Sequence, residues 1–189
     1  MRVIAGKYRS RSLRALSGMD TRPTSDRLRE TLFNVLTAGN PEALEGSIWL
    51  DVFAGTGAVG IEALSRGAHS VTFVENSRAA AKVIRENLKS LTIEEGVEVV
   101  EHEAERALRQ LDAQAVSCDY VFIDPPYRLH EAYEEALGSL SQSRILKPSS
   151  TVIAEHDKRH DPGESFGALV RYRKLVQGDS GLSFYRKSI

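Results

Sequence analysis

The sequence predicts a doubly wound α/β fold, in which a mostly parallel sheet carries helices on both faces. From residue 47 onward, short apolar runs alternate with stretches of helical periodicity, the pattern of strands joined by crossover helices. The first run, residues 48–53, is almost entirely apolar, as expected of a parallel strand buried on both faces. A glycine-rich turn over residues 55–60 follows it directly and opens a helix. A chain of 189 residues accommodates one such domain with a short appendage.

The appendage is basic. Residues 1–29 hold eight basic and two acidic side chains, whereas the whole chain has a net charge of −1. We assign residues 1–23 to a basic N-terminal extension with a short hairpin turned at Gly6. Residues 24–189 form the main domain.

The elements of the main domain follow from periodicity and capping residues. Thr24 or Ser25 caps the first helix, and Gly39 ends it. Leu28 and Leu32 lie on its apolar face. A second helix follows the glycine turn, and Asn76 or Ser77 caps a third helix that runs to about Leu91. The later predicted helices are 104–111 and 131–140. The predicted strands are 48–53, 71–74, 97–100, 120–123 and 151–154, followed by an antiparallel pair, 169–176 and 182–185.

Composition excludes several classes of protein. Charged residues make up 27% and hydrophobic residues 41% of the chain, which excludes a wholly disordered protein. No apolar run approaches the ~18 residues of a membrane span. Cys118 is the only cysteine, so no intrachain disulfide can form, and we expect a cytoplasmic protein. The one histidine pair with ligand-like spacing, His156 and His160, falls in a predicted solvated loop, so we predict no metal site.

Ligands of a doubly wound sheet bind beyond the carboxyl ends of its strands. After the first strand, Gly55, Gly57 and Gly60 match the G-x-G-x-x-G pattern of a nucleotide-binding loop. Glu75 ends the next strand, where a carboxylate can hold ribose hydroxyls. A plain strand-to-helix turn can also contain three glycines, but here strand, turn, helix and acid are all in register. We therefore predict a nucleotide-like ligand.

Asp51 narrows the choice of ligand. It lies on the first strand shortly before Gly55, so its carboxylate faces the root of the loop. A dinucleotide would bring its pyrophosphate near that carboxylate, which disfavours a nicotinamide-dependent oxidoreductase. A ligand with a cationic amino group and no phosphate would be stabilised instead. S-adenosylmethionine, with its sulfonium and ammonium groups, is such a ligand.

The fourth strand is followed by Asp124, Pro125, Pro126 and Tyr127. Neither proline has an N–H, so the strand ladder stops and the backbone stiffens. The Asp124 carboxylate and the Pro125 carbonyl can accept hydrogen bonds from an exocyclic amino group and stabilise the positive charge that develops on its nitrogen. Tyr127 can stack on the base. A rigid loop with a structural aromatic is the alternative, but the pattern fits methyl transfer to an amino nitrogen without a metal.

With these motifs the chain resembles the RsmD family of class I S-adenosylmethionine-dependent methyltransferases, which methylate N2 of one guanine in 16S ribosomal RNA. The resemblance covers nearly the whole chain and rests on segments 2–6, 9–13, 21–34, 50–68, 124–127 and 178–185. It implies a Rossmann-like sheet of seven strands, with the cofactor over Gly55 to Gly57 and its ribose on Glu75. It also implies that the guanine amino group lies between Asp124 and Tyr127.

The motifs and the resemblance together predict three sets of site residues. The catalytic residues are Asp124, Pro125, Pro126 and Tyr127. The cofactor-binding residues are Asp51, Phe53, Ala54, Gly55, Thr56, Gly57, Glu75, Asn76, Glu103, Ala104 and Asp124. The RNA-binding residues, expected to hold phosphates without reading sequence, are Arg2, Lys7, Arg9, Arg11 and Arg22.

Two positions depart from the family pattern. Glu103 stands where we expect an aspartate near the adenine amino group, and Gln177 where we expect an aromatic residue. The start of the first helix, with Arg22, Thr24 and Arg27, either serves packing alone or also borders the methionine tail of the cofactor.

The expected partner is 16S ribosomal RNA or the assembling 30S subunit, and we expect a monomer because nothing in the sequence requires a dimer. Two alternatives stay open. The 124–127 motif also suits adenine N6 methylation of DNA or RNA, although a base-flipping DNA enzyme usually needs more recognition surface. A non-catalytic RNA-binding assembly factor could share the fold, although it need not retain an amine-acceptor site.

Overall fold

The structure, a computed structural model, describes residues 1–16, 24–126 and 130–188. These residues form one eight-stranded sheet with five helices. The helices are α1 (Asp26–Leu36), α2 (Ala58–Ser65), α3 (Arg78–Ser90), α4 (Ala104–Ala113) and α5 (His130–Gln142). The strands are β1 (Ile48–Val52), β2 (Ser70–Val74), β3 (Val97–Val100), β4 (Cys118–Ile123), β5 (Leu146–Asp157), β6 (Ser165–Phe166), β7 (Leu169–Gln177) and β8 (Ser180–Lys187). The predicted boundary between the extension and the main domain, after residue 23, lies next to residues that the structure does not describe, so it stays a prediction.

The strands follow the order β3-β2-β1-β4-β5-β8-β7-β6 across the sheet. Strands β1 to β5 run parallel to one another, whereas β6, β7 and β8 pair antiparallel with their neighbours. The predicted α/β sheet and its closing antiparallel pair, β7 and β8, are confirmed. Every helix except α1 follows one strand and precedes the next, as the alternating pattern indicated.

Strands β5 and β6 differ most from the prediction. Strand β5 begins at Leu146 rather than at Thr151. Pro148 offers no N–H to a ladder, and a register shift between Cys118 and Tyr120 of β4 accommodates this irregular stretch. Strand β6 adds an eighth member to the seven strands that the family resemblance implies, and its two residues are too few to show a period.

Alternating side chains along the strands build one core on each face of the sheet. Trp49 of β1 is fully buried in a cluster with Phe33 of α1 and Ile84 of α3. The next residue, Leu50, is buried in the opposite cluster with Leu108 of α4. Each such side chain contributes about 1.5–3 kcal/mol through removal from water. Helices therefore cover both faces, as in a doubly wound sheet.

The basic extension folds back on itself. Arg2 and Ser12 form an antiparallel bridge, and the chain reverses over residues 6–10. Gly6 has a φ of +80°, and a Cβ at this position would lie 1.7 Å from the Ser65 carbonyl oxygen of α2. Only glycine permits so close an approach with this backbone conformation. The predicted reversal at Gly6 is therefore present, with one bridge in place of a full hairpin.

Buried groups anchor the extension to the domain. Val3 is fully buried in the core beside α1 to α3. The buried Glu62 carboxylate of α2 accepts the backbone N–H groups of Ile4 and Ala5 at 2.8 and 3.0 Å. Arg29, counted above in the basic segment, is also buried, and desolvation lowers the pKa of its guanidinium group. The extension is thus built into the fold and not a loose basic strand.

Two buried side chains bear on redox and metal chemistry. Cys118 of β4 is buried, and burial raises the pKa of its thiol to about 12. The prediction that His156 lies in a solvated loop is wrong, because β5 extends past Ala154 and buries it. Its Nε2 lies 3.0 Å from the Ser183 hydroxyl, and desolvation lowers the pKa of the ring.

Within the described ranges, no three or more His, Cys, Asp or Glu side chains are grouped to hold a metal ion. Nor does any helix of those ranges have the length and apolar character to cross a membrane.

Candidate active site

The glycine loop follows β1 at the carboxyl edge of the sheet. Its backbone is left-handed at Phe53, Gly55 and Gly57, with φ values of +62°, +56° and +76°. A Cβ at Gly57 would crowd Ile84 and Phe73 at 3.2 and 3.3 Å, whereas a Cβ at Gly55 would meet no atom within 4 Å. Gly57 is therefore required by the turn and its packing, while the space over Gly55 is open to a ligand.

The neighbouring strand β2 sets the shape of this loop. The Ala54 N–H donates to the Val74 carbonyl at 3.0 Å. The Gly55 N–H donates to Glu75 Oε2 and the Ser77 N–H to Glu75 Oε1, both at 2.8 Å. Glu75 thus holds the loop and the start of α3 together. Its carboxylate keeps further lone pairs that can accept from ribose hydroxyls.

Asp51 lies in β1 beneath the loop and is buried. Its Oδ2 accepts the Gly60 N–H of α2 at 2.9 Å. Burial raises the pKa of the Asp51 carboxyl to about 8, against the effect of the Gly60 hydrogen bond and with a further rise from the charge of Glu75. The carboxyl therefore holds a proton near neutral pH, and a cation placed beside it would favour the release of that proton.

The remaining predicted cofactor residues line the loop and the ends of β2 and β3. The Asn76 amide donates to both carboxylate oxygens of Glu103, each at 3.0 Å. Glu103 is exposed at the N-terminus of α4, and the following Ala104 is half-buried. Thr56 is buried in the loop, with its hydroxyl 3.9 Å from the Met1 sulfur. These residues thus lie together at the carboxyl edge of the sheet.

Asp124 directly follows β4. Its N–H donates to the Val52 carbonyl at 3.3 Å, which holds Asp124 beside the end of β1 and the glycine loop. Burial raises the pKa of the Asp124 carboxyl well above its usual range, and the negative charges of Glu155 and Asp51 raise it further. In its ionised form the group therefore accepts a proton more readily than an exposed aspartate does.

The other members of the predicted catalytic set lie beyond Asp124. Pro125 is buried and Pro126 is exposed. Tyr127 lies outside the described residues, as does Arg22 of the predicted RNA-binding set. The roles predicted for these two side chains stay predictions.

Sequence reasoning missed Glu155, a buried carboxyl side chain at the end of β5. Its Oε2 accepts the Thr24 hydroxyl at 2.6 Å, and the Ser180 hydroxyl lies 3.4 Å from its Oε1. The Thr24 bond places the start of α1 at the same edge of the sheet as Asp124. An acid directly after a predicted strand was the signal that identified Asp124, and the residue after Ala154 carries the same signal.

Four of the predicted RNA-binding side chains lie exposed on the extension: Arg2, Lys7, Arg9 and Arg11. The extension rests on α2 and α3, the two helices that flank the glycine loop. Nη2 of Arg11 donates to the Ser90 carbonyl at the end of α3, 2.9 Å away. The exposed cations therefore lie on the layer formed by α2 and α3.

Comparisons with known proteins agree with this architecture. A family model described as Conserved hypothetical protein 95 matches residues 1–186. Ribosomal RNA small subunit methyltransferase D of Escherichia coli strain K12 is 36% identical, over 99% of this chain and 90% of that relative. The Haemophilus influenzae protein of the same name is 39% identical, over 84% of this chain and 79% of the relative. A solved Escherichia coli structure, yhhF, described as a proposed methyltransferase, has a TM-score of 0.85 at 30% identity and covers 100% of this chain and 98% of that one. The chain belongs to the family described as Conserved hypothetical protein 95, which is the RsmD family.

Proposed function

We propose that this chain transfers a methyl group from S-adenosylmethionine to the exocyclic N2 of a guanine in 16S ribosomal RNA. One observation carries the proposal. The hydrogen bond from the Asp124 N–H to the Val52 carbonyl, 3.3 Å long, supports it, because Asp124, which we propose accepts the amino group, then lies beside the glycine loop. A methyl donor on the loop and an amino group at Asp124 would then share one edge of the sheet. The two relatives are named as methyltransferases of small-subunit ribosomal RNA, and these names support ribosomal RNA as the substrate.

The proposal includes the fold class, the division of the chain into two parts and the oligomeric state. The parallel order of β1 to β5, with a glycine loop after β1, supports a class I, Rossmann-like methyltransferase sheet. The extension, residues 1–23, serves RNA binding, and residues 24–189 form the methyltransferase domain. The protein acts as a monomer on the RNA or on the assembling 30S subunit.

The residues around the loop fit S-adenosylmethionine, which supplies a methyl group on positively charged sulfur. The open space over Gly55 admits the ligand, and Glu75 offers carboxylate lone pairs to the ribose hydroxyls. The buried Asp51 carboxyl becomes a carboxylate beside a cation, whereas a pyrophosphate would keep it protonated or be repelled by it. This charge preference favours S-adenosylmethionine over a nicotinamide dinucleotide.

The lone pair of a guanine amino nitrogen is delocalised into the ring, so the chain must make that nitrogen more reactive. The Asp124 carboxylate and the Pro125 carbonyl accept its N–H hydrogen bonds, and Tyr127 stacks on the base to orient it. As the nitrogen gains positive charge, its proton becomes acidic and passes to Asp124 or to water. The raised pKa of Asp124 favours its role as that acceptor.

The exposed cations of the extension hold the RNA beside this site. Arg2, Lys7, Arg9 and Arg11, together with Arg22, contact phosphates and position the substrate without reading bases. The residues around Asp124 then select the base.

The test is methyl transfer from isotopically labelled S-adenosylmethionine to unmodified 16S ribosomal RNA, assembled small subunits and DNA, with the labelled nucleoside identified by mass spectrometry. Label in N2-methylguanosine is expected, and the preferred RNA form shows when in assembly the protein acts. Label in N6-methyladenine would replace guanine by adenine in the proposal. Cofactor binding without label in any substrate would favour the non-catalytic assembly factor.

A further inference from the structure

Asn87 joins the basic extension to the cofactor loop. This residue of α3 is fully buried. Its Oδ1 accepts the Arg14 N–H at 2.7 Å, and its Nδ2 donates to the Arg14 carbonyl at 3.2 Å and to the Thr56 carbonyl at 3.0 Å. Because two carbonyls need donors and the Arg14 N–H needs an acceptor, these partners fix the orientation of the amide. Both of its N–H groups are used, one toward each segment.

Thr56 stands at the centre of the glycine loop. Gly55 and Gly57 on either side have left-handed backbones, so the direction of the Thr56 carbonyl follows from the shape of the loop. A hydrogen bond to that carbonyl therefore bears on the conformation over which the cofactor is proposed to bind. Ile84, one turn earlier on α3, lies beneath Gly57 on the same helix face.

Arg14 follows the part of the extension that folds back on itself. The preceding residue, Leu13, donates its N–H to the Met1 carbonyl at 3.1 Å and is buried. Val3 is buried as well, and much of the remaining attachment is polar, through Glu62 and Ser65 of α2. A segment with few buried apolar side chains opens at a lower free energy than the core of the sheet.

We propose that Asn87 is a positioning residue that couples the two sites, so that S-adenosylmethionine and RNA bind with positive cooperativity. The inference rests on the proposed function of the extension and the loop. When the extension lifts, Asn87 loses both Arg14 partners, and only its hydrogen bond to the Thr56 carbonyl still orients the amide, so the position of that carbonyl is less firmly fixed. RNA bound to the extension stabilises the arrangement in which Arg14 is hydrogen-bonded to Asn87. A cofactor bound on the loop stabilises the same arrangement. Each ligand raises the affinity of the other by one common factor.

The test measures the affinity of S-adenosylhomocysteine by calorimetry, alone and with saturating unmodified 16S ribosomal RNA. The wild-type protein should bind it about fivefold more tightly or better with RNA present. Asn87→Leu keeps the number and branching of the side-chain heavy atoms and removes all three hydrogen bonds, so the ratio should fall toward one while each ligand still binds. Glu86→Gln, the matched control on the same helix, removes the charge that pairs with the Arg14 side chain at 2.7 Å and with Lys82 at 4.0 Å, keeps all three Asn87 hydrogen bonds, and should keep the wild-type ratio.

A second measurement uses the wild-type protein and does not depend on how the variant folds. S-adenosylhomocysteine alone should slow hydrogen exchange at the Arg14 amide, although this amide belongs to the extension. Equal affinities with and without RNA in a protein that methylates RNA, or unchanged Arg14 exchange, would overturn the coupling and leave the proposed function standing. A protein that neither binds RNA nor transfers a methyl group would overturn both.

Discussion

Thr24 and Glu155 form a buried hydrogen bond, 2.6 Å between the hydroxyl and the carboxyl oxygen, that joins the start of α1 to the end of β5. A bond to a charged acceptor contributes about 1.5–3 kcal/mol. Thr24→Val should therefore lower the free energy of unfolding, measured with urea, by about 1–3 kcal/mol. A double-mutant cycle with Glu155→Gln should show less than the sum of the two single effects. Full additivity would show that the pair contributes no coupling.

Asp124→Asn tests the amine-accepting carboxyl. The variant keeps the shape of the side chain but cannot take a proton, so turnover should fall about 10²-fold or more while S-adenosylhomocysteine affinity stays near the wild-type value. Single-turnover methylation and calorimetry measure the two quantities. Asp119→Asn, at the opposite end of β4, is the matched control and should retain turnover. Equal turnover in the two variants would remove Asp124 from the chemistry.

Glu75→Gln tests the proposed ribose site. The amide has one acceptor oxygen, so it cannot hold the Gly55 and Ser77 N–H groups as the carboxylate does and also receive ribose hydroxyls. S-adenosylhomocysteine affinity, measured by calorimetry, should fall about tenfold or more. Glu98→Gln, at an exposed position of β3, makes the same chemical change away from the loop and should bind normally.

Reversing the charges of Arg9 and Arg11 to Glu tests the RNA-binding extension. Loss of two phosphate contacts should weaken binding and lower the slope of log K against log salt by about 1.4–1.8. Filter binding over a range of salt concentrations measures both effects. The matched control reverses Arg106 and Arg109, exposed on α4 across the sheet, and changes the net charge equally. The same loss in both variants would indicate a general effect of charge and no defined contact.

Asp51→Asn tests the buried carboxyl through stability. The folded-state pKa of about 8 lies above the ordinary value of 3.8, so between these values the folded protein holds a proton that the unfolded chain has released. Stability from this group is fully present below the unfolded pKa and is lost as the pH rises through about 8. Urea unfolding at several pH values should show a smaller decline for the variant, since Asn keeps an acceptor for Gly60 but does not titrate. An identical decline would place the carboxyl in a more polar environment.

Features determined by neighbouring residues were predictable from the sequence. The glycine loop, its acid Glu75 and the Ser77 cap of α3 lie within one strand–turn–helix unit, and the sheet follows from the alternation of elements. Features determined by long-range contacts were not. The anchor at Glu62 joins residues 58 positions apart, and the link from Arg14 to Asn87 spans 73 positions. The burial of Glu62, a charged side chain on a helix, is explained only by the distant segment that covers it.

The predicted end of β5 was wrong because this strand continues beyond its apolar residues. His156 follows the apolar part of β5, so its polar neighbours indicated a loop, yet pairing with β8 continues to Asp157 and buries it. Antiparallel pairing across β5 and β8 is a tertiary event with no local signal in β5. The same extension of β5 is what places Glu155 at the candidate site.

The single buried thiol gives this protein an intrinsic reporter of its own opening. Cys118 lies in β4, between the strands that end at the glycine loop and at Glu155, and its raised pKa leaves almost no thiolate in the closed state. A thiol-specific reagent can modify it only when the structure opens around Cys118, the first residue of β4. The labelling rate of the unaltered chain therefore measures how often the sheet opens, and the slowing of that rate by a bound ligand gives a binding assay that needs neither catalysis nor an attached dye.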